Sequence, residues 1–143
     1  WPVVVLLGAM IPIGGTLVST GITDEIASLV AISFTDLHVG WSLAVILIIT
    51  MFISDLINNA ATAVIMAPLS VSIANTMTYP IEPFLMSVAI GASCAFLSPI
   101  GHQCNTLVMG PGNYKFGDYW RLGLPLEIII VAVSIPVLLL VWF

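Results

Sequence analysis

The sequence predicts an all-α, polytopic membrane protein that combines ordinary spans with a re-entrant helical hairpin and a broken transmembrane helix. Three observations carry that reading. Of 143 residues 60% are hydrophobic and only 6% charged, against roughly 45–50% apolar and about 25% charged in soluble domains. The apolar residues fall into long blocks, with room for about four or five crossings of a ~30 Å hydrocarbon layer. Two of those blocks are interrupted in the middle by polar islands, at 54–62 and 98–106. So few charges cannot clothe a globule of this size in water, so most of its surface must meet lipid or other protein. This excludes a soluble enzyme. Nucleic-acid binding is excluded as well, because phosphate recognition needs clustered cations and the chain holds only Lys115 and Arg121 at a net charge of -5. Cys94 and Cys104 both sit in apolar surroundings and do not indicate a disulfide scaffold. The chain opens on Trp1, inside an apolar run with no basic segment ahead of it, so no signal peptide is read and a longer parent protein is expected.

The first apolar block predicts a span at 2–20, kinked late by Pro12, Gly14 and Gly15. Thr23 is a suitable N-cap, and Asp24 and Glu25 then sit where the helix dipole favours anions. The helix that starts there, 23–33, is only about 16 Å long at 1.5 Å per residue, too short to cross, and is read as an interfacial connector. From 41 to 75 the chain is apolar apart from the centre, where Asn58 and Asn59 interrupt it. One helix over that length would measure about 50 Å, well beyond the bilayer core. The alternative is a hairpin with the asparagine pair at its tip, its short arms suiting a re-entrant element; two short ordinary spans joined by a tight turn remain open.

The next block, 84–110, is long enough to cross, but its middle reads SCAFLSPIGHQCN. Pro99 removes an amide and biases Ser98 away from helical dihedrals, and Gly101 adds freedom, so a break is expected there. A final span is expected at 124–143. The loop before it holds both cations, which makes it cytoplasmic by the positive-inside rule. Counting back places the hairpin entrance and the C-terminus outside.

The two polar islands look like one site. A hairpin tip offers carbonyls without helical partners on the entering arm and free amides on the leaving arm, which attract a cation and an anion respectively. A broken helix supplies the same pair of ends, and secondary transporters bind substrate and ion near the midplane on such discontinuous helices. Asparagine side chains, hydroxyls and unwound carbonyls suit a hard cation such as sodium. Neither island contains Arg or Lys, so an anion bound there relies on amides, hydroxyls and a co-bound cation. Other readings stand beside this one. Membrane asparagines serve as interhelical glue, proline and glycine can merely kink a helix, and Asp55 can act as structure by bonding Asn59. His102 can carry a coupling proton or simply line a polar cavity. His102 and Cys104 alone make no transition-metal site. A membrane-embedded enzyme would want a pair of aspartates, and this reading gives Asp55 no acidic partner within the membrane.

Three stretches, IPIGGTLVSTG (11–21), SDLINNAATAVIMAPL (54–69) and SCAFLSPIGHQCNTLVMGPGNYKFGDYWRLGLPL (93–126), resemble the divalent anion:sodium symporters, the dicarboxylate, citrate and sulfate carriers of the ion-transporter superfamily. The resemblance covers most of the chain and implies the C-terminal half of an inverted-repeat transporter, preceded by an N-terminal repeat. It also implies an integral protein of the cytoplasmic membrane, commonly a homodimer, that is not an enzyme and needs no cofactor beyond sodium as coupling ion. The family's Ser-Asn-Thr tip motif falls on Asn58, Asn59 and Ala60, so Asn59 is kept while one hydroxyl is lost. The family's Ala-Thr-Pro-Pro-Asn break falls on Gly101, His102, Gln103, Cys104 and Asn105, where Asn105 is kept. What the resemblance implies for the site is substrate contact at Asn58, Asn59, Ala60, His102 and Gln103, and sodium contact at Ser54, Asn59, the Gly101 carbonyl and Asn105. The departures look closer to the sulfate-permease-like branch, so the expected cargo is sulfate, with a dicarboxylate or citrate, or proton coupling through Asp55 or His102, as alternatives within the fold. A structural anchor without a site of its own is the rival from another class.

Overall fold

The computed structural model describes residues 38–143, except Asn58 and the side chain of Gln103, together with Gly8, Pro12, Thr16, Ser19, Thr20, Gly21, Glu25 and Ser28. The expected span at 2–20 and connector at 23–33 thus lie outside the described residues apart from those positions. Among the latter, the Thr20 amide donates to Thr16 O at 2.9 Å and the Glu25 amide to Gly21 O at 3.1 Å. All regular structure among the described residues is helical.

Five helices follow His38. Helix α1, Val39–Leu56, starts where His38 Nδ1 accepts from the Gly40 amide at 3.3 Å, and it stops at Ile57, which is extended. Helix α2, Asn59–Met77, continues through Pro68 and ends at Thr78, whose φ of 59° reverses the chain. Helix α3 is Ile81–Ser93, α4 is Gln103–Met109 and α5 is Phe116–Trp142. Helices α1 and α5 are long and apolar enough to cross a membrane.

Three boundaries differ from expectation, each for a local reason. Helix α3 begins at Ile81 instead of near 84, because Pro83 falls in the first turn, where the missing amide would have had no intrahelical acceptor. It also unwinds after Ser93, well before Pro99, since the amide of Leu97 leaves the helix to donate to Asp55 Oδ1 at 3.0 Å. Helix α5 begins at Phe116 rather than near 124. Asp118 Oδ2 accepts from the Lys115 amide at 2.8 Å and caps it, and the helix runs on through Pro125 and Pro136.

Gly91 of α3 lies against Leu47 and Thr50 of α1, so closely that a Cβ there would stand 2.8 Å from Thr50 Cβ. Further along, Ser54 meets Ala92 and Asp55 meets Leu97. Residue numbers rise together, so α1 and α3 run parallel, and α2 returns between them in sequence. Helix α5 runs the other way, with Gly40 beside Ile135 and Leu139 at one end and Asp55 beside Glu127 further in. Leu43, Ile46, Ile73, Phe84, Val88 and Leu138 fill the core between these helices, and the Tyr79 and Phe143 rings meet edge to face at 5.6 Å where α5 ends.

The junction of α1 and α2 therefore lies level with Glu127, part-way along α5. About 22 Å of helix separates Glu127 from Trp142 and about 16 Å separates it from Phe116, at 1.5 Å per residue.

Candidate functional site

The hairpin tip and the helix break come together at that level. Ser54, fully buried, has one proton to donate and lies within reach of Ala92 O at 2.8 Å and Asn59 Oδ1 at 3.0 Å. Asp55 Oδ1 holds the Leu97 amide, and the Ser98 hydroxyl donates to Asp55 O at 2.7 Å. Ser98 Oγ in turn accepts from the amides of Ile100 (3.2 Å) and Gly101 (3.1 Å), which turns the chain without a helical ladder. Gly101 is buried against the tip: a Cβ on it would stand 2.9 Å from Ser54 O and 3.1 Å from Asp55 Cα. Only a residue without a side chain permits that approach.

Asn105 closes the break from the other side. Its Nδ2 donates to Ala95 O at 2.8 Å and Ser98 O at 3.0 Å, and the Tyr119 hydroxyl donates to Asn105 O at 2.7 Å. The Thr106 hydroxyl donates to Pro99 O. The carbonyls released by unwinding are in this way partly re-satisfied, as buried backbone requires.

The hydrogen bonds sort the site by charge preference. Asn59 has Oδ1 turned to the Ser54 hydroxyl, which leaves its NH2 as the end that can donate to an anion. Asn105 has its NH2 committed to two carbonyls, which leaves Oδ1 as an acceptor suited to a cation. His102, exposed at the N-cap of α4, accepts from the Cys104 amide through Nδ1 at 3.2 Å, so in the neutral ring Nε2 carries the proton and is a donor.

Of the residues singled out from sequence, Ser54, Asn59, Gly101 and Asn105 are thus gathered around one junction. Ala60 lies half-buried in the first turn of α2, and Gln103 opens α4. Asn58 lies outside the described residues. Ser98 and Tyr119, not on that list, hold the junction together with Asp55, which the sequence offered as a structural or proton-carrying group.

One expectation is overturned. Asp55 does have an acidic partner within the apolar segments, Glu127 of α5, and the two carboxyl groups interact directly. Glu127 is the sole ionisable side chain in the run 124–143, and that isolation was the available signal.

The family model described as "Sodium:sulfate symporter transmembrane region" matches residues 1–143. The chain belongs to the sodium:sulfate symporter family. It is 38% identical over 139 residues to the uncharacterized transporter YfbS of Escherichia coli (strain K12), covering 94% of this chain and 22% of that one. It is 34% identical over 143 residues to an uncharacterized transporter of Synechocystis sp., covering 99% of this chain and 23% of the relative. Sodium/sulfate cotransporter 2 of Chlamydomonas reinhardtii is 27% identical over 135 residues, 94% of this chain and 15% of the cotransporter. The chain therefore spans less than a quarter of the length of these curated relatives. Membership in the symporter family makes it part of an integral membrane protein, and its all-helical, apolar architecture agrees.

Proposed function

We propose that this chain is the C-terminal repeat of a sodium-coupled anion symporter, with sulfate preferred over a dicarboxylate or citrate. The observation that carries the proposal is the contact of two interrupted helices at mid-span, Gly101 seated on the backbone of Ser54 and Asp55. It brings carbonyl ends, amide ends and two oppositely presented asparagines to one place. The level of the tip along α5 suits a hairpin that enters the membrane and stops inside it.

In this reading sodium binds the oxygen-rich side, at Asn105 Oδ1, the Gly101 carbonyl and the Ser54–Asn59 end of the hairpin. The anion binds the donor-rich side, at the Asn59 amide, the tip backbone of 58–60 and the His102–Gln103 end of α4. Lys115 and Arg121, the chain's two cations, are exposed on and just after the 110–115 loop, so sodium is the charge that makes a dianion tolerable at the site. Binding of the first ion then favours the second, and the hairpin and broken helix carry both across against the rest of the protein. The C-terminus lies outside, and an N-terminal repeat supplies the facing half of the site.

The test is radiolabelled sulfate uptake by the full-length protein in proteoliposomes, with succinate and citrate as competitors. Asn59→Ala should abolish sodium-dependent uptake. Undiminished uptake with an unchanged sodium dependence would sink the assignment, and stronger competition by succinate than by unlabelled sulfate would move the cargo to a dicarboxylate.

A further inference from the structure

Asn105, a proposed sodium ligand, borders a cavity to which the binding scheme gives no role. The space, about 220 Å³, lies between the break and the start of α5, with Phe96, Asn105, Tyr114, Asp118, Tyr119 and Leu126 among its walls. The other contacts of Asn105 are made within the protein. Its Nδ2 is spent on Ala95 O and Ser98 O, and its main-chain O takes the Tyr119 hydroxyl. On the hairpin side the break is sealed, with Gly101 seated on the backbone of Ser54 and Asp55. The cavity has room for several waters, and its polar walls supply the partners that water needs.

Tyr114 stands where this space meets the 110–115 loop. The turn that carries it is fixed by its main chain, with the Gly112 amide on Val108 O at 2.9 Å and the Tyr114 amide on Met109 O at 3.1 Å. The Lys115 amide is held by Asp118 Oδ2 at 2.8 Å. The Tyr114 ring folds back over Gly112, where a Cβ would collide with it, and meets the Tyr119 ring edge to face at 6.1 Å. Yet Tyr114 is 52% exposed, and side chains of that exposure change rotamer on a picosecond to nanosecond scale. A pinned turn with a half-exposed ring makes a door on a fixed frame.

We propose that this cavity is the passage by which sodium moves between Asn105 and the water on the side of the 110–115 loop, with the Tyr114 ring as its door. The inference rests on the reading of Asn105 as a sodium ligand. Because that loop is read as cytoplasmic, the passage is the sodium exit during uptake. Tyr119 forms the inner jamb, since its hydroxyl holds Asn105 while its ring meets Tyr114.

The test follows sodium binding to the purified full-length protein without sulfate, by stopped-flow fluorescence of its tryptophans, beside an equilibrium titration. A door alters the height of a barrier and leaves both end states alone, so it changes entry and exit by one factor. Tyr114→Ala removes the ring and keeps the main-chain bonds of the turn. It should speed sodium association and dissociation severalfold with the dissociation constant unchanged. Leu126→Trp, which fills the cavity from α5, should slow both and also keep the affinity. Wild-type rates in Tyr114→Ala overturn the passage, whether or not Leu126→Trp folds. A shifted dissociation constant with an unchanged association rate overturns it too, because Tyr114 then only braces Asn105 through Tyr119. Failure of the parent reading has a different signature, sulfate uptake by the wild type that is indifferent to sodium.

Discussion

Replacing Gly101 by alanine tests the geometry on which the site depends. The added methyl would lie 2.8 Å from Ala95 Cβ, 2.9 Å from Ser54 O and 3.1 Å from Asp55 Cα. Two of these neighbours are backbone atoms that no rotamer change can move. Ordinary contact then requires the break to withdraw from the tip by about half an ångström, and overpacking of this kind costs about 1–3 kcal/mol. Because the carbonyl of Gly101 and the end of the hairpin are proposed to share one ion, the withdrawal should weaken sodium about tenfold, equivalent to roughly 1.4 kcal/mol. Two glycines calibrate the result. A Cβ at Gly110 meets nothing within 4 Å, whereas one at Gly91 meets Thr50 Cβ at 2.8 Å and Leu47 O at 2.9 Å, away from the tip. Thermal unfolding of the purified full-length protein, followed by sodium titration of sulfate uptake, separates the cases. Gly110→Ala should change neither, Gly91→Ala should lower the unfolding temperature and spare sodium affinity, and Gly101→Ala should impair both. Wild-type sodium affinity in Gly101→Ala would show that the close packing of tip and break has no part in ion binding.

Three further substitutions probe the supports. Tyr119→Phe removes the hydroxyl that donates to Asn105 O and should cost about 1 kcal/mol of stability with a raised half-saturation for sodium; an unchanged sodium titration would remove Tyr119 from the site. Ser98→Ala deprives Asp55 O of a donor and the Ile100 and Gly101 amides of an acceptor, and should cost about 1–3 kcal/mol, checked by chemical denaturation in detergent. Asp118→Ala removes the cap on the Lys115 amide. It should cost about 0.5–2 kcal/mol and leave the sodium dependence of uptake intact, so a change in sodium dependence would contradict the placement of Asp118 outside the site.

Much of the helical content was legible because lipid-length apolar runs admit few alternatives. Helix α1 ends beside the asparagine interruption, where Ile57 is extended and α2 starts at Asn59. Boundaries near proline were less legible. Pro83 looks like punctuation in sequence, yet it lies inside α3, where a first-turn position tolerates it. Ser93 gave no warning that the helix would stop there, because the competing acceptor for the released Leu97 amide is Asp55, far away along the chain.

The sequence by itself determined the solvent, the helical class and the two polar islands. With 60% hydrophobic residues and two cations, burial and scarcity of charge leave no soluble solution, and a polar cluster without Lys or Arg inside an apolar run must find partners within the protein. Only the tertiary structure decided how the islands face one another, which end of each asparagine stays available and that Asp55 has Glu127 opposite it. Those facts depend on the directions of α1, α3 and α5 and on the close approach at Gly91 and Gly101. Packing of elements distant in the chain sets them, and no local pattern of residues encodes it.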